Sequence, residues 1–143
     1  MRRDQVLLVD DEAEFVETLA ERMRARGLQV RTAYSGSEAL ERVASESFDA
    51  IVLDLAMPGL DGIETLKRLR ARDTNLQIML LSGQATVALA AEAMKQGAVE
   101  VLEKPADIDV LLDMIRAARA TRLRMAEAKT QQQVDDLLKR RGW

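Results

Sequence analysis

Three short runs of apolar residues constrain this chain more than any other feature: Gln5–Val9 (QVLLV), Ala50–Leu53 (AIVL) and Ile78–Leu81 (IMLL). Each is followed by a stretch patterned as an amphipathic helix. A strand with no polar face needs cover on both sides, which is the condition of a parallel sheet between two layers of helix. The spacing predicts helices over 12–26, 35–46, 61–72 and 86–96, and another starting at Asp107, with further strands over 28–33 and 99–102. In the first helix Phe15, Val16, Leu19 and Met23 form the apolar stripe, and Gly27 is placed to end it. Five β–α units in about 118 residues predict an α/β fold: a doubly wound, five-stranded parallel sheet with helices on both faces and right-handed crossovers. A chain of 143 residues is the size of one domain.

Composition removes several function classes. There is no Cys and no His, so the chain has no disulfide, no thiolate or imidazole metal ligand, no imidazole base and no phosphorylatable histidine of its own. Lys and Arg number 21 against 24 Asp and Glu, a net charge of −3 that argues against direct nucleic-acid binding. No apolar run approaches the roughly 20 residues that span a bilayer, so no membrane association is expected and a cytoplasmic location is. Residues 1–106 carry 13 basic and 18 acidic side chains, whereas 107–143 carry 8 and 6. The last stretch therefore reads as something added: a C-terminal helical extension or linker over 120–143. It has an apolar patch at Val134, Leu137 and Leu138 but no clean heptad. That patch and Trp143 leave a homodimer possible.

In doubly wound sheets, ligands bind beyond the carboxyl ends of the strands. The residues at those ends are Asp10, Asp11 and Glu12 after the first strand, Asp54 at the third, Ser82-Gly83 after the fourth and Lys104-Pro105 after the fifth. Singly, each has a plain structural reading as a helix cap, a turn or a loop. Together they bring carboxylates, a hydroxyl and an ammonium to one edge. Clustered carboxylates repel, and a hard divalent cation relieves this. Mg²⁺ suits an all-oxygen donor set and is usually shared with a phosphate. Lys104 supplies a point charge for a phosphoryl oxygen and Ser82 a hydroxyl donor. Asp54 is left as a carboxylate nucleophile able to form an acyl phosphate.

The motifs LLVDDE, VLDLAMPGLDG, LLSG and GAVEVLEKP, in this order and spacing, resemble the receiver domain of two-component response regulators over residues 4–119. The resemblance implies a flavodoxin-like strand order of 2-1-3-4-5. It implies Asp54 as phosphoacceptor, Asp10, Asp11, Asp54 and the Ala56 carbonyl as Mg²⁺ ligands, and Ser82 and Lys104 as phosphoryl contacts. It further implies a histidine kinase or phosphotransfer protein as donor, an output partner reached through residues 86–119, and self-catalysed phosphorylation and dephosphorylation rather than metabolic catalysis. The Lys104–Pro105 peptide resembles one that is cis in the family. One feature departs from the pattern: where the family often has Tyr or Phe three residues before the Lys, this chain has Val101. Two alternatives stand beside this reading. One is the N-terminal receiver piece of a larger DNA-binding or ATPase regulator. The other is an interaction module that works without phosphorylation.

Overall fold

The computed structural model describes residues 5–55, 62–83, 87–104 and 107–141. Ten elements alternate along the chain: β1 (Gln5–Val9), α1 (Ala13–Ala25), β2 (Gln29–Ala33), α2 (Gly36–Ser45), β3 (Ala50–Asp54), α3 (Gly62–Arg72), β4 (Ile78–Ser82), α4 (Val87–Lys95), β5 (Glu100–Glu103) and α5 (Ile108–Arg140). The five strands form one parallel sheet in the order β2-β1-β3-β4-β5. The expected fold class and strand order are both present.

Strand periodicity divides the core in two. Successive side chains point to opposite faces. Val6, Leu8, Val52, Met79 and Leu81 therefore pack with α1 and α5 in one cluster. Leu7, Val9, Ile51, Leu53, Ile78 and Leu80 pack against residues of α2, α3 and α4 in the other. Every residue of β3 and β4 is buried, whereas β2 at the sheet edge alternates with exposed positions. Each fully buried Leu or Ile contributes about 1.5–3 kcal/mol, so the central strands are held firmly from both sides.

Local chemistry sets the ends of the elements. The Ser35 hydroxyl accepts the Glu38 N–H at 3.1 Å and starts α2, and Asp107 accepts the Asp109 and Val110 N–H groups at the head of α5. Gly27 follows α1 with φ +92°, the left-handed geometry that glycine adopts without strain. β5 runs one residue beyond the predicted span because the Lys104 N–H still bonds the Ser82 carbonyl at 2.9 Å. Asp61, the first residue of the helix predicted over 61–72, lies outside the described residues.

α5 is a single helix of 33 residues. It crosses the expected boundary at 119/120 without a break. Its buried side chains end at Ala118, while Leu123, Val134 and Leu137 beyond it are exposed. Among the described residues no helix is both long and apolar enough to cross a membrane.

Candidate functional site

The parallel sheet puts the carboxyl ends of β1, β3, β4 and β5 side by side, and each delivers one polar residue. Asp10 directly follows β1, Asp54 ends β3, Ser82 ends β4 and Lys104 directly follows β5. Asp10, Asp54 and Ser82 are all buried. A row of apolar residues leads up to each of them, so the chain cannot withdraw these polar ends without unpacking the sheet.

Lys104 is the hub. Its Nζ donates to Asp10 Oδ2 at 2.5 Å, and stands 3.4 Å from Glu12 Oε1 and 3.8 Å from Asp54 Oδ2. Only 13% of its side chain is exposed. Burial acts most strongly on this ammonium and lowers its pKa. The hydrogen bond to Asp10, followed by the charges of Asp10, Asp54 and Glu12, together outweigh burial and leave it above the usual lysine value. Lys104 is therefore charged at neutral pH. Asp10 is fixed from its other side, where Oδ1 accepts the Glu12 N–H at 3.0 Å and the Asp10 N–H bonds Ala33 O at 3.1 Å.

Ligand oxygens of Asp10, Glu12 and Asp54 lie within 4.8 Å of one another. The sequence reading placed Asp10, Asp11 and Asp54 in this set. Asp11 is exposed and outside the group, and Glu12 stands within it. The turn between β1 and α1 accounts for the difference: the bond from Glu12 N–H to Asp10 curls the chain back so that the second residue after Asp10 faces the ammonium. An acid two residues after a strand-end Asp was the available signal. Ala56 and Pro105 lie outside the described residues, and with them the expected carbonyl ligand and the Lys104–Pro105 peptide. Ser82 is at the site's edge of β4, tied through its backbone carbonyl to Lys104.

Three carboxylates and one ammonium meet here, with Asp10, Asp54 and Lys104 shielded from solvent and Glu12 exposed. An all-oxygen set of this spacing fits a hard divalent cation, and the chain carries no Cys or His to recruit a softer one.

Gly62 holds the ensemble from behind. Its N–H bonds Leu55 O at 3.1 Å, and a Cβ there would fall 2.4 Å from the Asp54 carbonyl oxygen and 2.4 Å from Leu55 Cα. Only glycine lets α3 start this close to the end of β3.

Comparison with known proteins identifies the family. The family model for the response regulator receiver domain matches residues 6–116. The chain is 36% identical over 127 residues to the C4-dicarboxylate transport transcriptional regulatory protein DctD of Pseudomonas aeruginosa, covering 88% of this chain and 27% of that protein. It is 36% identical over 140 residues to the transcriptional regulatory protein FixJ of Bradyrhizobium diazoefficiens, covering 96% and 66%. Among solved structures, a receiver domain of Francisella response regulator 1452 superposes with a TM-score of 0.77 at 30% identity, over 82% of this chain and 98% of that one. A receiver domain from Clostridium thermocellum gives 0.81 at 27%, over 85% and 98%. The chain belongs to the response regulator receiver domain family of two-component systems, whose function is phosphorylation on an aspartate. It spans between about a quarter and two thirds of these two curated relatives.

Proposed function

We propose that Asp54 is the phosphoacceptor of this receiver and that Lys104 and Ser82 contact the incoming phosphoryl group. The observation that carries this reading is the Lys104 ammonium lying 2.5 Å from Asp10 and 3.8 Å from Asp54 at the carboxyl edge of the sheet. A carboxylate oxygen of Asp54 attacks phosphorus, and the bond from phosphorus to the donor breaks with its electron pair leaving on the donor. The Lys104 ammonium moves a short distance from Asp10 to offset charge on the phosphoryl oxygens. The Ser82 hydroxyl donates to another oxygen. Asp10, Glu12 and Asp54 would hold Mg²⁺, with Asp11 at the exposed rim. The cation supplies charge neutralisation for phosphoryl transfer.

The donor is a histidine kinase or phosphotransfer protein in the cytoplasm, since this chain has no histidine. The output surface comprises α4, β5 and the first turns of α5, with Val87, Met94, Val99 and Val110 exposed there. Val101 packs partly buried against the core beside this face, so the shift between states works without a rotating ring. In this reading residues 4–119 are the receiver and 120–143 a C-terminal helical extension or linker.

Incubation with a small-molecule phosphodonor and Mg²⁺, read by intact mass, tests the assignment. One phosphoryl group is expected on the wild type and none on Asp54→Asn. Labelling that survives in Asp54→Asn overturns it.

A further inference from the structure

Phe15 lies in the first turn of α1, on the apolar stripe that also carries Val16 and Leu19. Those two are buried, whereas Phe15 is only partly buried at the rim of the core. Its ring faces the Lys104 ammonium, with Nζ 4.4 Å from the ring centroid. The ammonium thus has both the carboxylates of Asp10, Glu12 and Asp54 and an aromatic face among its neighbours.

These two kinds of neighbour hold a cation differently. The short bond to Asp10 fixes the ammonium at one oxygen. The ring attracts it through the quadrupole of its face, which is spread over six carbons rather than centred on one acceptor atom. An aliphatic side chain of similar size would cover the ammonium without attracting it.

We propose that Phe15 is a positioning residue, whose ring holds the Lys104 ammonium over the gap between Asp10 and Asp54 so that the same nitrogen reaches the phosphoryl group on Asp54. This rests on the reading of Asp54 and Lys104 given above. The ring contact persists while the ammonium exchanges one oxygen partner for another, so the benefit falls on the transfer step rather than on donor binding.

The test compares the wild-type 143-residue chain with Phe15→Leu, Phe15→Tyr, Lys104→Ala and the Phe15→Leu/Lys104→Ala double variant. Phosphorylation by acetyl phosphate with Mg²⁺ is followed by intact mass over a range of donor concentrations. Phe15→Leu is expected to slow the maximal rate about fivefold with KM little changed. Phe15→Tyr, which keeps the aromatic face, returns the rate to within about twofold of wild type. In the Lys104→Ala background, Phe15→Leu has no further effect. The Lys104 ε-methylene protons shift upfield in wild type and Phe15→Tyr, and lose that shift in Phe15→Leu. Phe15→Met, which also lacks a ring, gives the same readout should leucine pack badly. A wild-type rate in Phe15→Leu, or equal slowing with and without Lys104, overturns the proposal while leaving Asp54 as acceptor. A wild-type chain that takes up no phosphoryl group overturns the Asp54 reading itself, and the Phe15 role with it.

Discussion

The two edges of the sheet bury the same kind of residue and use it in opposite ways. At the amino edge Asp49 precedes β3 and is buried. Its Oδ2 accepts the Gln5 N–H at 2.8 Å, and its own N–H bonds Gln5 O at 2.8 Å. This reciprocal clamp fastens the start of β1. Gln77, buried before β4, donates to Asn75 O at 3.1 Å. At the carboxyl edge Asp10 and Asp54 are buried to a similar degree, yet they share a side-chain ammonium with Glu12. A bond to the backbone closes a loop and cannot be reassigned without moving the chain. An ammonium on a four-carbon stem can change partners. Burial of an acid therefore does not by itself mark the reactive edge.

The largest expected effect tests how rigidly the carboxyl edge is held. Gly62→Ala drives a Cβ into the backbone of Asp54 and Leu55, which cannot yield as a side chain could. A loss of about 3 kcal/mol is expected in urea unfolding. Phosphorylation should also slow about tenfold in the fraction that stays folded, because a misplaced acceptor forfeits alignment. Unchanged stability would mean that α3 can move away from β3 at no cost, and the carboxyl edge would then be no stiffer than a loop.

The amino edge supplies the converse. Asp49→Ala leaves the Gln5 N–H without its carboxylate acceptor. A loss of about 1–3 kcal/mol is expected. The rate of Asp54 phosphorylation should remain at the wild-type value, measured well below the melting temperature. A rate that fell together with stability would erase the distinction between the edges.

How much of this was legible in the sequence depended on the physics behind each element. β3 and β4 were legible to within a residue, because continuous apolar runs admit few placements in a covered sheet. The strand-end rule was enough to put Asp10, Asp54, Ser82 and Lys104 at one edge. Glu12 was less accessible: both adjacent acids are exposed, and which of them approaches the ammonium is a matter of loop geometry of which composition carries no trace. Phe15 read as core because apolar periodicity does not separate a ring that fills space from a ring that faces a cation. The extent of α5 was also hidden. The change of charge marked 120–143 as an extension or linker without saying whether it continued the helix from Asp107, and nothing there stops a helix: 120–140 contains no Gly or Pro, and Gln131–Asp135 and Gln132–Asp136 side-chain bonds at i, i+4 support it.

The smallest effect concerns pH and sharpens the claim that the carboxyl edge turns on one movable charge. The pKa of Lys104 lies above 10.5 in the folded protein, since its carboxylate neighbours outweigh burial. A group whose pKa is raised by folding contributes stability that is fully present below its unfolded value and is lost as pH climbs through the folded one. The stability difference between wild type and Lys104→Met should therefore be constant from neutral pH to about 9, then change in disfavour of the wild type above 10.5. Tyr34, whose pKa is also raised, chiefly by its hydrogen bond to Glu17, titrates in both proteins and cancels in the difference. Paired urea titrations across this range provide the measurement. A difference that already drifts between pH 7 and 9 would place the ammonium's loss of charge too low for the carboxylate pairing seen here, and the carboxyl edge would have to be held by something other than Lys104.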